Sequence, residues 1–191
     1  MGISTGIMHG RDSSHKIWPD IFSEEDEDHI ADEMHRITKG TDFGWPYTYF
    51  DGTRNVRLVA PEYGGDGKKS PPSGTYSTPV LTFHSRRVAP VDILFYSSDK
   101  FPASYRNGAF IVLHGTANRS GYNVVFVPFN RNGKAGSPTV FADGFAGFDP
   151  SSPNAGPAKY RPVGAALGPD GALYVADSQK GRIWRIAYAG K

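Results

Sequence analysis

The sequence predicts an all-β fold, a partial β-propeller of three to four blades from a six-bladed ring. Three observations carry this: a threefold strand pattern that occurs twice in the second half, a chain rich in turn formers and aromatics, and a length too short for a closed ring. Gly and Pro number 23 and 15 among 191 residues, and aromatics make up 13%. That mixture suits short strands joined by many turns better than long helices.

The repeat runs strand, turn, Gly-Ala-aromatic strand, turn, strand. Its first copy is Ala89-Pro90-Val91-Asp92-Ile93-Leu94-Phe95-Tyr96, then Gly108 to His114, then Tyr122 to Pro128. Its second copy is Arg161 to Leu167, then Gly171 to Asp177, then Gly181 to Tyr188. The segments are β-branched and aromatic, with Gly, Pro, Asp and Asn between them. Pro138 to Ala142 gives the first copy a fourth strand, so 89–145 reads as a complete blade and 161–189 as a last blade lacking its fourth strand. The whole of 1–191 reads as a single partial propeller domain.

The first half is less regular. Residues 42–82, with Gly64-Gly65-Asp66-Gly67 and Pro71-Pro72 inside, read as a loop-rich insertion too polar for a core, and Arg57 lies in it. Asp42-Phe43-Gly44-Trp45-Pro46-Tyr47 reads as a tight turn carrying an aromatic plug. Ala31 to Lys39 fits a short helix or a strand, and the acidic block before it favours a helix N-terminus. An open half-ring would leave aromatics such as Phe95, Tyr96, Phe126, Phe129 and Trp184 on uncovered blade faces, which predicts a homodimer or a missing N-terminal half as partner.

Charge and composition exclude several classes. Net charge is +2, against general nucleic-acid binding. No apolar run is long enough for a membrane helix, and residues 1–12 lack the pattern of a signal peptide. The chain has no cysteine, hence no disulfide or thiolate site. Charge is uneven: seven acidic residues lie between Glu24 and Glu33, while the rest of the chain has 21 basic against 12 acidic ones. The acidic run is either a solvated segment or a divalent-cation neighbourhood, with Glu33 as its candidate metal ligand.

Three segments could hold an anion. Arg11 and Asp12 sit in His9-Gly10-Arg11-Asp12, where an Arg fork lies beside a carboxylate. His114, Gly115, Asn118 and Arg119 follow a strand, and Gly lets backbone approach a ligand while the others offer donors. The equivalent place in the second copy, Asp177-Ser178-Gln179, is also polar. Arg161 precedes a strand of small apolar residues, and buried Arg needs an anionic partner. No Ser-His-Asp order, phosphate loop or His-x-x-x-His pair is present.

In order along the chain, Asp42 to Tyr47, Ala60-Pro61-Glu62-Tyr63-Gly64-Gly65, Phe95 to Phe129, and Arg161 through Gly168-Pro169-Asp170-Gly171-Ala172-Leu173-Tyr174 to Ile186 resemble the glucose/sorbosone dehydrogenase family. The resemblance implies a six-bladed propeller that binds pyrroloquinoline quinone and calcium and oxidises a sugar or other polyol. It implies cofactor contacts from Arg11, Asp12, His114, Gly115, Asn118, Arg119 and Arg161. It also implies a periplasmic or extracellular location. The family's histidine base belongs to an earlier blade, before Met1, so no catalytic residue is assigned. The sequence departs from the pattern at Thr116 and Ala117 and at Val91-Asp92, and cysteines expected near Thr48 and Ser73 are absent. Two other readings stand beside it: a non-catalytic propeller fragment that keeps a scaffold or ligand-binding role, and a calcium-dependent lactonase-type hydrolase, to which the Arg- and His-rich loops are poorly suited.

Overall fold

A computed structural model describes residues 2–4, 29–83, 88–116, 120–149 and 157–190, the first three by backbone alone. Two compact units divide the chain, at 1–87 and 88–191. All regular elements other than short 3-10 turns are strands, and no α-helix occurs among the described residues.

In the second unit, β-branched runs separated by Gly, Pro and Asn turns build two antiparallel sheets. Numbering all strands in chain order, β6 (Pro90–Phe95), β7 (Gly108–Leu113), β8 (Asn123–Pro128) and β9 (Thr139–Ala142) form one sheet in that order. The strands β10 (Pro162–Leu167), β11 (Leu173–Asp177) and β12 (Ile183–Ile186) form the other. Both sheets occupy the stretches the repeat marks. The repeat extends to an irregularity. Pairing slips between Pro90 and Asp92 on β6, and between Pro162 and Gly164 on β10. Val91 and Val163 are the extra residues, and both are exposed.

The two sheets share one core. All six residues of β7 are buried. Phe110 packs on Phe141 with ring centroids 4.5 Å apart, and Leu173 and Val175 of β11 join the same cluster. Two polar ties hold sheet to sheet. Asp92 Oδ2 accepts from Ala165 N–H at 2.7 Å, joining β6 to β10. The buried Tyr96 hydroxyl accepts from Phe101 N–H at 2.9 Å and donates to Gly171 C=O at 3.2 Å. Gly171 has φ +78° and closes the Pro169-Asp170-Gly171 turn, where a Cβ would lie 2.4 Å from Ser98 Oγ.

In the first unit, β1 (Gly2–Ser4), β2 (Asp32–His35) and β5 (Leu81–Phe83) form a sheet in the order β1-β2-β5, and β3 (Thr48–Asp51) pairs with β4 (Val56–Val59). Three expectations change here. The 31–39 segment is a strand at Asp32–His35, because Ala31, Met34 and His35 are buried and the pairing partners β1 and β5 lie on both sides. The 42–82 stretch is no mere polar insertion: its hairpin buries Tyr49 and Leu58 in a core that Ile30 and Ala60 complete, and Phe50 is buried as well. Trp45 is no plug, since it is 58% exposed. Likewise Tyr96 and Phe126, expected on open faces, are buried within the chain's own core. Among the described residues the sheets have three, two, four and three strands, and none closes into a ring.

Candidate functional site

The site of interest forms where β7 and β11 end and β10 begins. Beyond Leu113 the chain keeps its pairing: His114 N–H donates to Ala89 C=O and Gly115 N–H to Val88 C=O, each at 2.9 Å. Gly115 has φ +74°, and a Cβ there would lie 2.7 Å from the Tyr122 ring. Only glycine lets the tyrosine close under this strand end. The Tyr122 hydroxyl donates to Thr116 C=O, and burial raises its phenol above the ordinary value.

Arg161, one residue before β10, is held by its own backbone. Its N–H donates to Asp177 Oδ1 at 2.7 Å, and its carbonyl accepts Ser178 N–H at 3.0 Å. The side chain is thereby sent back across the first sheet. Its guanidinium donates to Gly115 C=O through Nη2 and to His114 C=O through Nε at 3.5 Å, and it lies 5.6 Å from the Tyr122 ring centroid. His114 Nε2 lies 3.0 Å from Ser178 Oγ, closing a circuit between the two sheets.

The electrostatics follow from these partners. Burial, with the Arg161 charge beside it, lowers the His114 pKa below the ordinary imidazole value, which favours the neutral ring near pH 7. Burial works to raise Asp177, but N–H donors from Arg161, Lys180 and Gln179 prevail and hold its carboxyl below the usual range. Asp177 thus spends its charge on backbone, not on the guanidinium. The partners of the Arg161 guanidinium among the described residues are two carbonyls and one ring. A half-buried cation without a carboxylate, beside a neutral imidazole and a hydroxyl, is a donor set for an anionic, oxygen-rich molecule.

Of the residues expected at the site, His114, Gly115 and Arg161 come together here. Arg11, Asp12, Asn118 and Arg119 lie outside the described residues. Glu33 is in the first unit. It is buried and makes an ion pair with Arg57 Nη2, and its Oε2 lies 2.9 Å from His35 Nε2. Its oxygens are therefore occupied by protein partners, and no group of three metal-ligating side chains occurs among the described residues. Arg57, in turn, is an internal partner and not a loop surface residue.

Tyr122 was not singled out by motif. Ser178 lies in Asp177-Ser178-Gln179, the segment the repeat sets opposite the His114 loop, where the sequence alignment matches His114 with Asp177. The strand register moves the match by one residue, since Pro90 pairs with Leu113 while Pro162 pairs with Asp177, so Ser178 is the structural counterpart of His114, and the two touch.

Pyrroloquinoline quinone, with three carboxylates, fits this arrangement through Arg161, His114 and Ser178. Calcium does not fit it. A calcium ion takes six to eight oxygens, whereas here the His114 and Gly115 carbonyls receive Arg161 and the Asp177 oxygens receive N–H groups.

A family model described as TrAA12-like matches residues 19–189. A protein of Borreliella burgdorferi described as uncharacterized is 29% identical over 177 residues, 87% of this chain and 43% of that one. A solved glucose dehydrogenase aligns with TM-score 0.57 at 16% identity, over 85% of this chain and 38% of its own. The pyrroloquinoline-quinone domain of a pyranose dehydrogenase from Coprinopsis cinerea, in its holo form, aligns with TM-score 0.51 at 22% identity, over 84% and 45%. A calcium structure of a Trichoderma reesei carbohydrate-active enzyme of family AA12 aligns with TM-score 0.55 at 21% identity, over 86% and 45%. The chain spans less than half the length of each of these relatives.

Proposed function

We propose, since the chain belongs to the TrAA12-like family of pyrroloquinoline-quinone sugar dehydrogenases, that it supplies one wall of the cofactor site in a quinone-dependent sugar oxidoreductase. The observation that carries the reading is the Arg161 guanidinium, fixed from both sheets yet matched by carbonyls alone among the described residues. When bound, pyrroloquinoline quinone supplies the two-electron acceptor for oxidation of a sugar or polyol hydroxyl.

The chain's own residues bind and orient. Arg161 offers a fixed positive charge and N–H donors to a carboxylate. His114, neutral and tethered to Ser178, offers a polar edge whose tautomer depends on that hydroxyl. Tyr122 fills the space under Arg161, so the cation cannot fold away. Calcium, implied by the family, would find its ligands elsewhere. The catalytic base would come from the larger part of the ring that this chain does not span, supplied by further chain or a second copy. We therefore read the isolated chain as a cofactor binder with little or no activity on aldoses. The family points to the periplasm or the cell exterior, and among the described residues no helix is long and apolar enough to cross a membrane.

The test is a titration with pyrroloquinoline quinone, with and without calcium, followed by quinone absorbance. Arg161→Ala should weaken binding roughly 10- to 100-fold, the range for one lost charge-assisted hydrogen bond. Arg131→Ala, on an exposed turn between β8 and β9, should not. Absence of binding by the folded chain at tens of micromolar (on the order of weak non-covalent sites), or equal losses in both variants, would overturn the reading.

A further inference from the structure

The same end of the two sheets carries a second constellation that the quinone site does not use. Tyr160 and Arg161 are consecutive in an extended segment, so their side chains point to opposite sides. Arg161 goes to His114 and Gly115. Tyr160 goes outward into a groove of about 390 Å³ lined by Asp143, Phe145, Arg182 and Trp184. Three aromatic rings meet there: Trp184 stands edge-on to Phe145 at 4.8 Å and to Tyr160 at 5.2 Å between centroids.

Around the Tyr160 ring stand three cations. Arg182 lies 4.6 Å from its centroid, Lys159 5.5 Å and Lys180 5.6 Å. All three side chains belong to exposed residues. Among the described residues none makes an ion pair: Arg185 takes Asp170, and Asp143, on the groove wall, pairs with none of them. One ring can attract each cation, but the cations repel one another within a Debye length. An anion over the groove would relieve that repulsion, and ring edges and faces beside it suit the apolar side of a pyranose.

We propose that this groove binds a carboxylate-bearing saccharide, a uronate unit whose carboxylate meets Arg182 on the groove wall, with Lys180 and Lys159 adding positive charge beside the same Tyr160 ring, while its sugar ring rests on Trp184. The groove favours a saccharide because Phe145, Tyr160 and Trp184 line it beside the Arg182 guanidinium; an acidic peptide would instead add along the outer edge of β12, which among the described residues pairs with β11 alone. The site is distinct from the cofactor wall. It does not depend on the quinone reading, and the two are separable by variant.

The probe is trigalacturonate, titrated into the 191-residue chain and followed by calorimetry and by quenching of indole fluorescence. Millimolar or tighter binding is expected, with loss in high salt and no binding of neutral galactotriose. Arg182→Ala and Lys180→Ala should each weaken it about tenfold, near 1.4 kcal/mol, and leave the quinone titration unchanged. Arg161→Ala should leave trigalacturonate binding unchanged. Three results would overturn the proposal: no binding by the folded chain, equal binding of galactotriose, or binding of hexaglutamate as tight as that of trigalacturonate. The last would make the surface a general acidic-chain site.

Discussion

Replacing Asp177 with asparagine isolates what holds Arg161 in place. In the native chain Oδ1 accepts from Arg161 N–H at 2.7 Å and from Gln179 N–H at 3.1 Å, and Oδ2 accepts from Lys180 N–H at 2.6 Å. Asparagine keeps one oxygen. If it stays with Arg161 and Gln179, the Lys180 N–H faces an NH₂ donor and loses its acceptor, and the other two bonds fall from charge-assisted to neutral. A neutral bond is worth about 1 kcal/mol and a charged one roughly 1.5–3. Lys180 is exposed, so water recovers part of its loss. The expected cost is about 2 kcal/mol at pH 7, or about 1 M in the urea midpoint for a typical slope. The pH dependence fixes the cause. The folded Asp177 pKa lies below the ordinary carboxylate value, held down by its N–H donors, so the unfolded chain binds the proton first as pH falls. Its stabilisation is fully present above the unfolded value and is lost as pH drops through the folded one. Urea unfolding of both proteins at pH 7 and near pH 3 should show the difference shrinking in acid. Equal stability at pH 7, or a difference that does not narrow, would refute the reasoning, since neither is compatible with a carboxylate charge holding this loop.

Two further outcomes follow from the same geometry. The His114 imidazole should titrate below 6.5, because burial and Arg161 both disfavour its charged form, and its share of stability should be present above that pH and fade as pH falls through the folded value; Arg161→Ala should move the midpoint upward in two-dimensional NMR, and an unmoved midpoint would remove Arg161 as a cause. In the first unit, Arg57→Met should cost roughly 3–5 kcal/mol, since it strands the buried Glu33 carboxylate; urea unfolding of Arg57→Met beside Glu33→Gln/Arg57→Met should show the double variant recovering part of the loss, and no recovery would mean packing, not charge, is at stake.

The second unit was legible because its strands repeat and because turn chemistry fixes their ends. Pro90-Val91 and Pro162-Val163 even share a bulge, the place where the chain steps around a proline that cannot donate to the ladder. The first unit was not legible for the opposite reason. Its strands are three or four residues long, too short for a period to show. In the sequence Glu33 read as a candidate metal ligand in an acidic run and Arg57 as part of a polar insertion, yet they pair across 24 residues of chain, Glu33 buried and Arg57 half-buried. A buried ion pair erases the polarity signal at both ends, and with Asp32 and Asp51 nearby it made a core strand and hairpin look like loop.

At the candidate site the sequence showed residue types but not their commitments. Arg161, His114 and Gly115 stood out as cations and a glycine at strand ends, and they do converge. What spacing could not show is that the aspartate beside Arg161 is spent on N–H groups, so that the guanidinium meets carbonyls and a ring instead of a carboxylate among the described residues. The departure at Asp92 has a similar explanation. A small residue there would leave Ala165 N–H without its acceptor, whereas the carboxylate bonds it at 2.7 Å and its own strand at Ile93 N–H at 2.8 Å. The carboxylate makes a tie between two sheets, and the tie holds β10, the strand that Arg161 precedes, against β6. The position that departs from the expected pattern thus anchors the strand that follows Arg161.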